Sequence, residues 1–147
     1  MTPTLYLANF ASLRKADPAV VGTGRRWTAM ARPRWWERGE GRIDVLCPNR
    51  ESLVAAKAGD LAPEQYFEHY RARLARWGGV GVLDPGRLCA EDAGGWIVDV
   101  DDSDFIGCAC ARDAALRGEC HLFHAAPFLV RAGWRVVLHG VEWPPPA

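Results

Sequence analysis

Between Phe105 and Trp134 the chain gathers its reactive side chains: Cys108, Cys110 and Arg112 close together, then Cys120-His121, and His124 one turn later. Three chemistries suit these residue types. A thiol beside a helix start, an arginine or a histidine ionises more readily and becomes a nucleophile. On that reading Cys108 or Cys120 attacks and His121 accepts or donates the proton. Cysteine and histidine also ligate zinc. Against zinc, C-x-C on one extended strand turns both thiols to the same side, while Cys120 and His121 diverge by about 100° on a helix. No resident metal or cofactor is therefore expected, with zinc as the alternative.

The third chemistry is anion binding, and it is the one these residues favour. Helix-start amides and arginine guanidinium groups both recognise phosphate or carboxylate. Arg32 and Arg112 would converge on one sheet edge, Trp35 or Trp36 would stack on a planar ring, and Lys57 and Cys110 would line the same pocket. Glu119 near the helix start works against an anion, and Gly22-Thr23-Gly24 is too short for a phosphate loop. His139 ends the last strand and faces either the site or water. Asp101-Asp102-Ser103-Asp104 lacks the spaced oxygens of a cation loop and reads as a solvated turn.

The elements that must position these groups follow from hydrophobic pattern and punctuation. Strands are expected at Leu5–Phe10, Arg25–Ala31, Phe105–Ala111 and Arg135–His139. Val80–Gly94 is ambiguous, with a turn around Asp84-Pro85-Gly86, and Trp96–Val100 is either a strand or a loop over the sheet. Pro33 ends the second strand, and residues 34–41 form an exposed loop. Asn49 caps a helix from Arg50 to Ala58, stopped by Gly59. A longer helix starts at Pro63, with Tyr66, Phe67, Tyr70, Leu74 and Trp77 on one stripe, and Gly78-Gly79 ends it. A last helix spans Glu119–Ala132, with Pro127 bending it. Strands alternating with helices give an α/β fold, a mainly parallel, Rossmann-like sheet in one domain over residues 1–140 with a Pro-rich tail over 141–147.

Size and charge agree with one domain able to bury a core: 147 residues, 49% hydrophobic, seven of them tryptophan. Eighteen basic and eighteen acidic side chains cancel, so no global field draws the chain to polyanions. Arg25-Arg26-Trp27 and the Arg- and Trp-rich stretch after Arg32 invite single-stranded nucleic acid, but the neutral balance and lack of a recognisable module make it an unlikely partner. Basic residues dominate from Arg14 to Arg50 and acids from Asp84 to Asp104, which predicts a basic and an acidic side. The amino terminus lacks a signal-peptide pattern and no apolar run reaches the roughly 20 residues of a membrane span. Five irregularly spaced cysteines suit a reduced cytoplasmic protein. The pattern does not specify an oligomeric state.

Several segments together resemble the domain of unknown function 488 family. They are Ala31-Arg32 with Pro33 and Trp35-Trp36, Leu46-Cys47-Pro48, Lys57-Ala58-Gly59, Tyr66 and Tyr70 in the following helix, then Cys108 and Cys120-His121. Two positions depart from the family pattern: Cys110 stands where an acid is usual, and Leu122 where an arginine follows Cys-His. The resemblance implies an α/β fold with a shared pocket and supplies no reaction.

Overall fold

The computed structural model describes residues 2–30, 33–37, 39–77, 83–86, 88–89 and 97–144, with Trp77, Leu88, Cys89 and Ile97 described by their backbone alone. Its centre is a sheet in the order β2 (Arg26–Thr28), β5 (Phe105–Cys108), β1 (Thr4–Asn9), β6 (Arg135–Leu138) and β7 (Val141–Trp143). The first four run parallel and β7 pairs antiparallel with β6. The α/β fold with a mainly parallel sheet is thus as the sequence predicts. Its strand order is not the usual 3-2-1-4-5-6 dinucleotide-binding order. A separate antiparallel pair joins β3 (Leu88–Cys89) to β4 (Ile97–Val98).

Strand alternation divides the core between the two sheet faces. Leu5, Leu7, Ile106, Val136 and Leu138 share one face with Trp27 and Cys108, under α3 (Pro63–Trp77) and α5 (His121–Ala132). Ala8 and Phe105 look the other way, onto Phe10 and Val21. These come from the 3-10 turn Phe10–Arg14 and the short α1 (Pro18–Val21). Gly107 makes that second layer possible, because a Cβ there would collide with the Phe10 ring. Each sealed leucine contributes roughly 1.5–3 kcal/mol.

Capping explains the helix boundaries. Asn49 accepts from the Glu51 and Ser52 amides at the start of α2 (Arg50–Lys57), as its residue type predicts. In α3, Tyr70 and Leu74 are buried while Tyr66 and Phe67 are half-buried at the rim. Late in α3, Arg73 is buried and donates to the carbonyls of Asp44 (3.0 Å) and Cys47. The Tyr70 hydroxyl donates to the Leu46 carbonyl at 2.7 Å, so α3 holds the whole 44–47 turn by its backbone.

The structure departs from expectation at four places. β5 stops at Cys108 because its neighbour β1 ends opposite it at Asn9, whose side chain turns to cap the 3-10 turn. Beyond Asn9 no parallel backbone remains to pair with residues 109–111. The polar stretch after them forms a short helix, α4 (Arg112–Leu116), and α5 then begins at His121 with Cys120 as its flanking residue. The tail expected from 141 begins instead with a strand, β7, whose backbone extends the sheet. The acidic turn is not solvated throughout: Asp104 is 1% exposed. It accepts from the Arg25 amide, the Asp101 amide and the Trp27 indole at 2.7, 2.9 and 3.0 Å. Basic and acidic segments therefore meet there, with Arg25 also paired to Asp101. Among the described residues no helix is long and apolar enough to cross a membrane. Gly78-Gly79, most of the ambiguous Val80–Gly94 stretch, Trp96 and Pro145-Pro146 lie outside the described residues.

Candidate functional site

Parallel strands end together, and here their carboxyl edge assembles the reactive groups. Cys108 is the last residue of β5, Cys120 precedes α5, and His139 follows β6. Their donor atoms all lie within 4.8 Å of one another, with the Cys108 and Cys120 sulfurs 3.6 Å apart. All three are sealed, at 0%, 1% and 0% exposure. His139 has a left-handed backbone (φ 50°), rare outside glycine. Its amide donates to the Leu7 carbonyl at 2.7 Å and its carbonyl accepts from Arg112 Nε at 3.2 Å. Among the described residues neither ring nitrogen has a hydrogen-bond partner.

A second group of donors overlaps the first. Cys110, Cys120 and His121 also bring their donor atoms within 4.8 Å of one another. Cys110 is half-buried because the strand has already ended, so the two thiols of C-x-C do not share one strand face as the sequence reading assumed. His121 Nε2 lies 2.9 Å from the Ala29 carbonyl. A carbonyl only accepts, so Nε2 carries a proton. The Tyr70 ring meets His121 edge-on at 5.6 Å.

These contacts rank the thiols. Hydrogen bonds from Cys108, then Cys120 and His121, hold Cys110 well below the ordinary thiol range. The same contact to Cys110 pushes Cys108 up, reinforced by Cys120 and by burial. At Cys120 the bond to Cys108 acts downward, yet Cys110 and burial outweigh it and raise the thiol to about 12. Cys110 is the member of the trio that ionises first. Burial first, with Arg112 acting the same way, lowers the His139 pKa below its ordinary value.

Two cavities open on either side of residues 109–110. The first, about 520 Å³, has Leu53, Val54 and Phe67 as apolar walls, Arg50 and Lys57 as cations beside the acid Glu119, and Cys110 and His121 in its lining. Tyr66 lines it as a neutral hydroxyl, its pKa pushed up to about 12 by burial and by Cys110 and Cys120. Among the described residues the second, about 820 Å³, carries Arg14, Arg26, Arg34 and Arg112 against one acid, Glu37. One Glu37 oxygen already accepts from the Arg34 amide at 2.8 Å.

The sequence-predicted residues divide accordingly. Lys57 and Cys110 line the first cavity, Cys110 and Arg112 the second. Arg32 lies outside the described residues. Trp35 is 83% exposed and lines neither cavity, whereas Trp36 lines the second and meets Phe10 edge-on at 6.4 Å. Consecutive residues of a 3-10 turn diverge by about 120°, so only one of the pair can face inward. His124 leaves the cluster: its ring stacks on Phe67 at 4.3 Å, accepts from Arg71 at Nδ1 and reaches the Gly118 carbonyl through Nε2. The expectation passed over Arg14, Arg26 and Arg34, which belong to segments distant in sequence, and left His139 undecided. The one sequence signal for His139 was its position after the last strand. Compared with family models, curated proteins and solved structures, the chain matches none.

Proposed function

We propose that the carboxyl edge of the sheet binds a small anionic, nucleotide-like ligand. The observation that carries this reading is the second cavity, where four arginines face one acid whose carboxylate already accepts an amide. Clustered guanidinium groups match the planar, bidentate demands of phosphate or carboxylate. The first cavity supplies the complement, apolar walls for a ring and two cations at its side. Both volumes suit a small molecule, and Ala109 and Cys110 line both cavities. The resemblance to the domain of unknown function 488 family belongs to the same proposal, since Pro48, Tyr66, Cys110's neighbour Cys108 and His121 all border these cavities. Free thiols at Cys47, Cys108, Cys110 and Cys120 fit a reducing, cytoplasmic setting.

Thermal-shift titration with inorganic phosphate, adenosine and adenosine monophosphate tests the reading. The monophosphate should raise the melting temperature most, and Arg26→Ala with Arg34→Ala should remove its advantage over adenosine. Absence of any shift with all three probes overturns it.

One observation favours a second reading, a cysteine enzyme. Cys110 lines both cavities beside His121, whereas the nucleophiles expected from sequence, Cys108 and Cys120, are sealed. Cys110 would then be the attacking thiol and His121 its proton partner. Alkylation of Cys110 at no more than the rate of an unstructured peptide thiol rules this out.

A further inference from the structure

We propose that Cys108, Cys120 and His139 form a binding site for one thiophilic metal ion, with zinc the closest chemical fit. The inference is independent of the anionic-ligand reading, because none of the three donors is needed to hold that ligand.

Geometry comes first. In a tetrahedral zinc site with Zn–S bonds of about 2.3 Å, two sulfurs sit roughly 3.8 Å apart. The Cys108 and Cys120 sulfurs are 3.6 Å apart, and the His139 donor lies within 4.8 Å of both. An ion can enter this triad with small side-chain adjustments. The donors come from the end of β5, the start of α5 and the end of β6, three elements fixed by the core.

The second observation is the state of His139. It is fully buried, yet among the described residues neither ring nitrogen meets a hydrogen-bond partner. A buried imidazole without partners is unfavourable, and native proteins rarely keep one without a reason. Its main chain is held on both sides, by Leu7 and by Arg112, in a left-handed conformation uncommon for a side-chain-bearing residue. A metal ion satisfies one orphan nitrogen with its lone pair.

Charge and softness agree. Two thiols lose their protons to solvent on binding, and two thiolates with a neutral imidazole balance a divalent cation, which suits a sealed position. A sulfur-rich set selects zinc or copper(I) over magnesium or calcium. The overlapping triad of Cys110, Cys120 and His121 is the weaker site, since the His121 ring is already tied to the Ala29 carbonyl and Cys110 opens to both cavities. Three protein donors leave a fourth coordination position.

The test is a titration of the reduced, chelator-washed full chain with zinc against a chromogenic chelator, repeated with copper(I) and with cobalt(II). One equivalent of zinc should bind, and cobalt(II) should develop thiolate-to-metal charge-transfer absorption. His139→Leu should weaken zinc binding by more than about 100-fold, beyond the range of outer-shell losses, while circular dichroism reports an intact fold. His121→Gln should retain the single equivalent. Wild-type protein that takes up no zinc overturns the site, as does one that binds copper(I) alone. Zinc binding unchanged in His139→Leu, or lost in His121→Gln with His139 intact, assigns any ion to other donors and overturns it as well.

Discussion

The two ends of the same parallel sheet are built on opposite principles. At the amino end, Asp104 is buried, and the Arg25 amide, the Asp101 amide and the Trp27 indole all donate to its carboxylate. At the carboxyl end, among the described residues, His139 is equally buried with both ring nitrogens unpartnered, and four arginines face a cavity with a single acid. A satisfied polar network fixes strands in place, whereas unsatisfied groups collected in one spot mark where a ligand completes the structure. Satisfied polar groups lie at one edge, and the other carries the groups of the proposed ligand site.

Removing Asp104 should break that contrast most severely. Asp104→Ala leaves buried donors without an acceptor, and we expect a loss of about 3 kcal/mol in chemical denaturation. Because Asp104 lies at the far edge, metal stoichiometry and phosphate response should be unchanged in whatever fraction stays folded.

The opposite sign is expected at the carboxyl edge. His139→Leu removes two orphan buried nitrogens at similar volume, so the metal-free protein should gain about 1 kcal/mol or stay level. A clear destabilisation of metal-free protein would mean that the ring has partners already, and the contrast between the edges would collapse.

The smallest effect is a pH dependence beside the site. Burial first, then Arg71 and His121, lower the His124 pKa below its ordinary 6.5, despite the opposing bond to the Gly118 carbonyl. Below pH 6.5 the unfolded chain takes up this proton before the folded one, so the contribution is complete above that pH and is lost as the pH falls toward the folded-state value. Urea midpoints should decline modestly on acidification, and His124→Gln should flatten that slope.

Much of the framework was legible locally. Asn49 announced α2, Pro63 with its aromatic stripe announced α3, and short apolar runs marked β1 and β6. Local pattern failed where a neighbour decided the outcome. Phe105–Ala111 reads as one apolar strand, yet β5 ends at Cys108 because β1 turns away at Asn9. Val141–Trp143 joins the sheet because β6 offers an edge. The burial of Arg73 late in α3 depends on carbonyls nearly thirty positions away.

The candidate site divides in the same way. Residue types and spacing between Cys108 and His121 determined that sulfur, imidazole and guanidinium would gather near one strand end. Which thiol faces a cavity, which histidine is sealed, and which arginines join them were decided by tertiary packing. These depend on where neighbouring strands stop and on which distant backbone groups become buried together, and period and propensity along one segment carry no information about either.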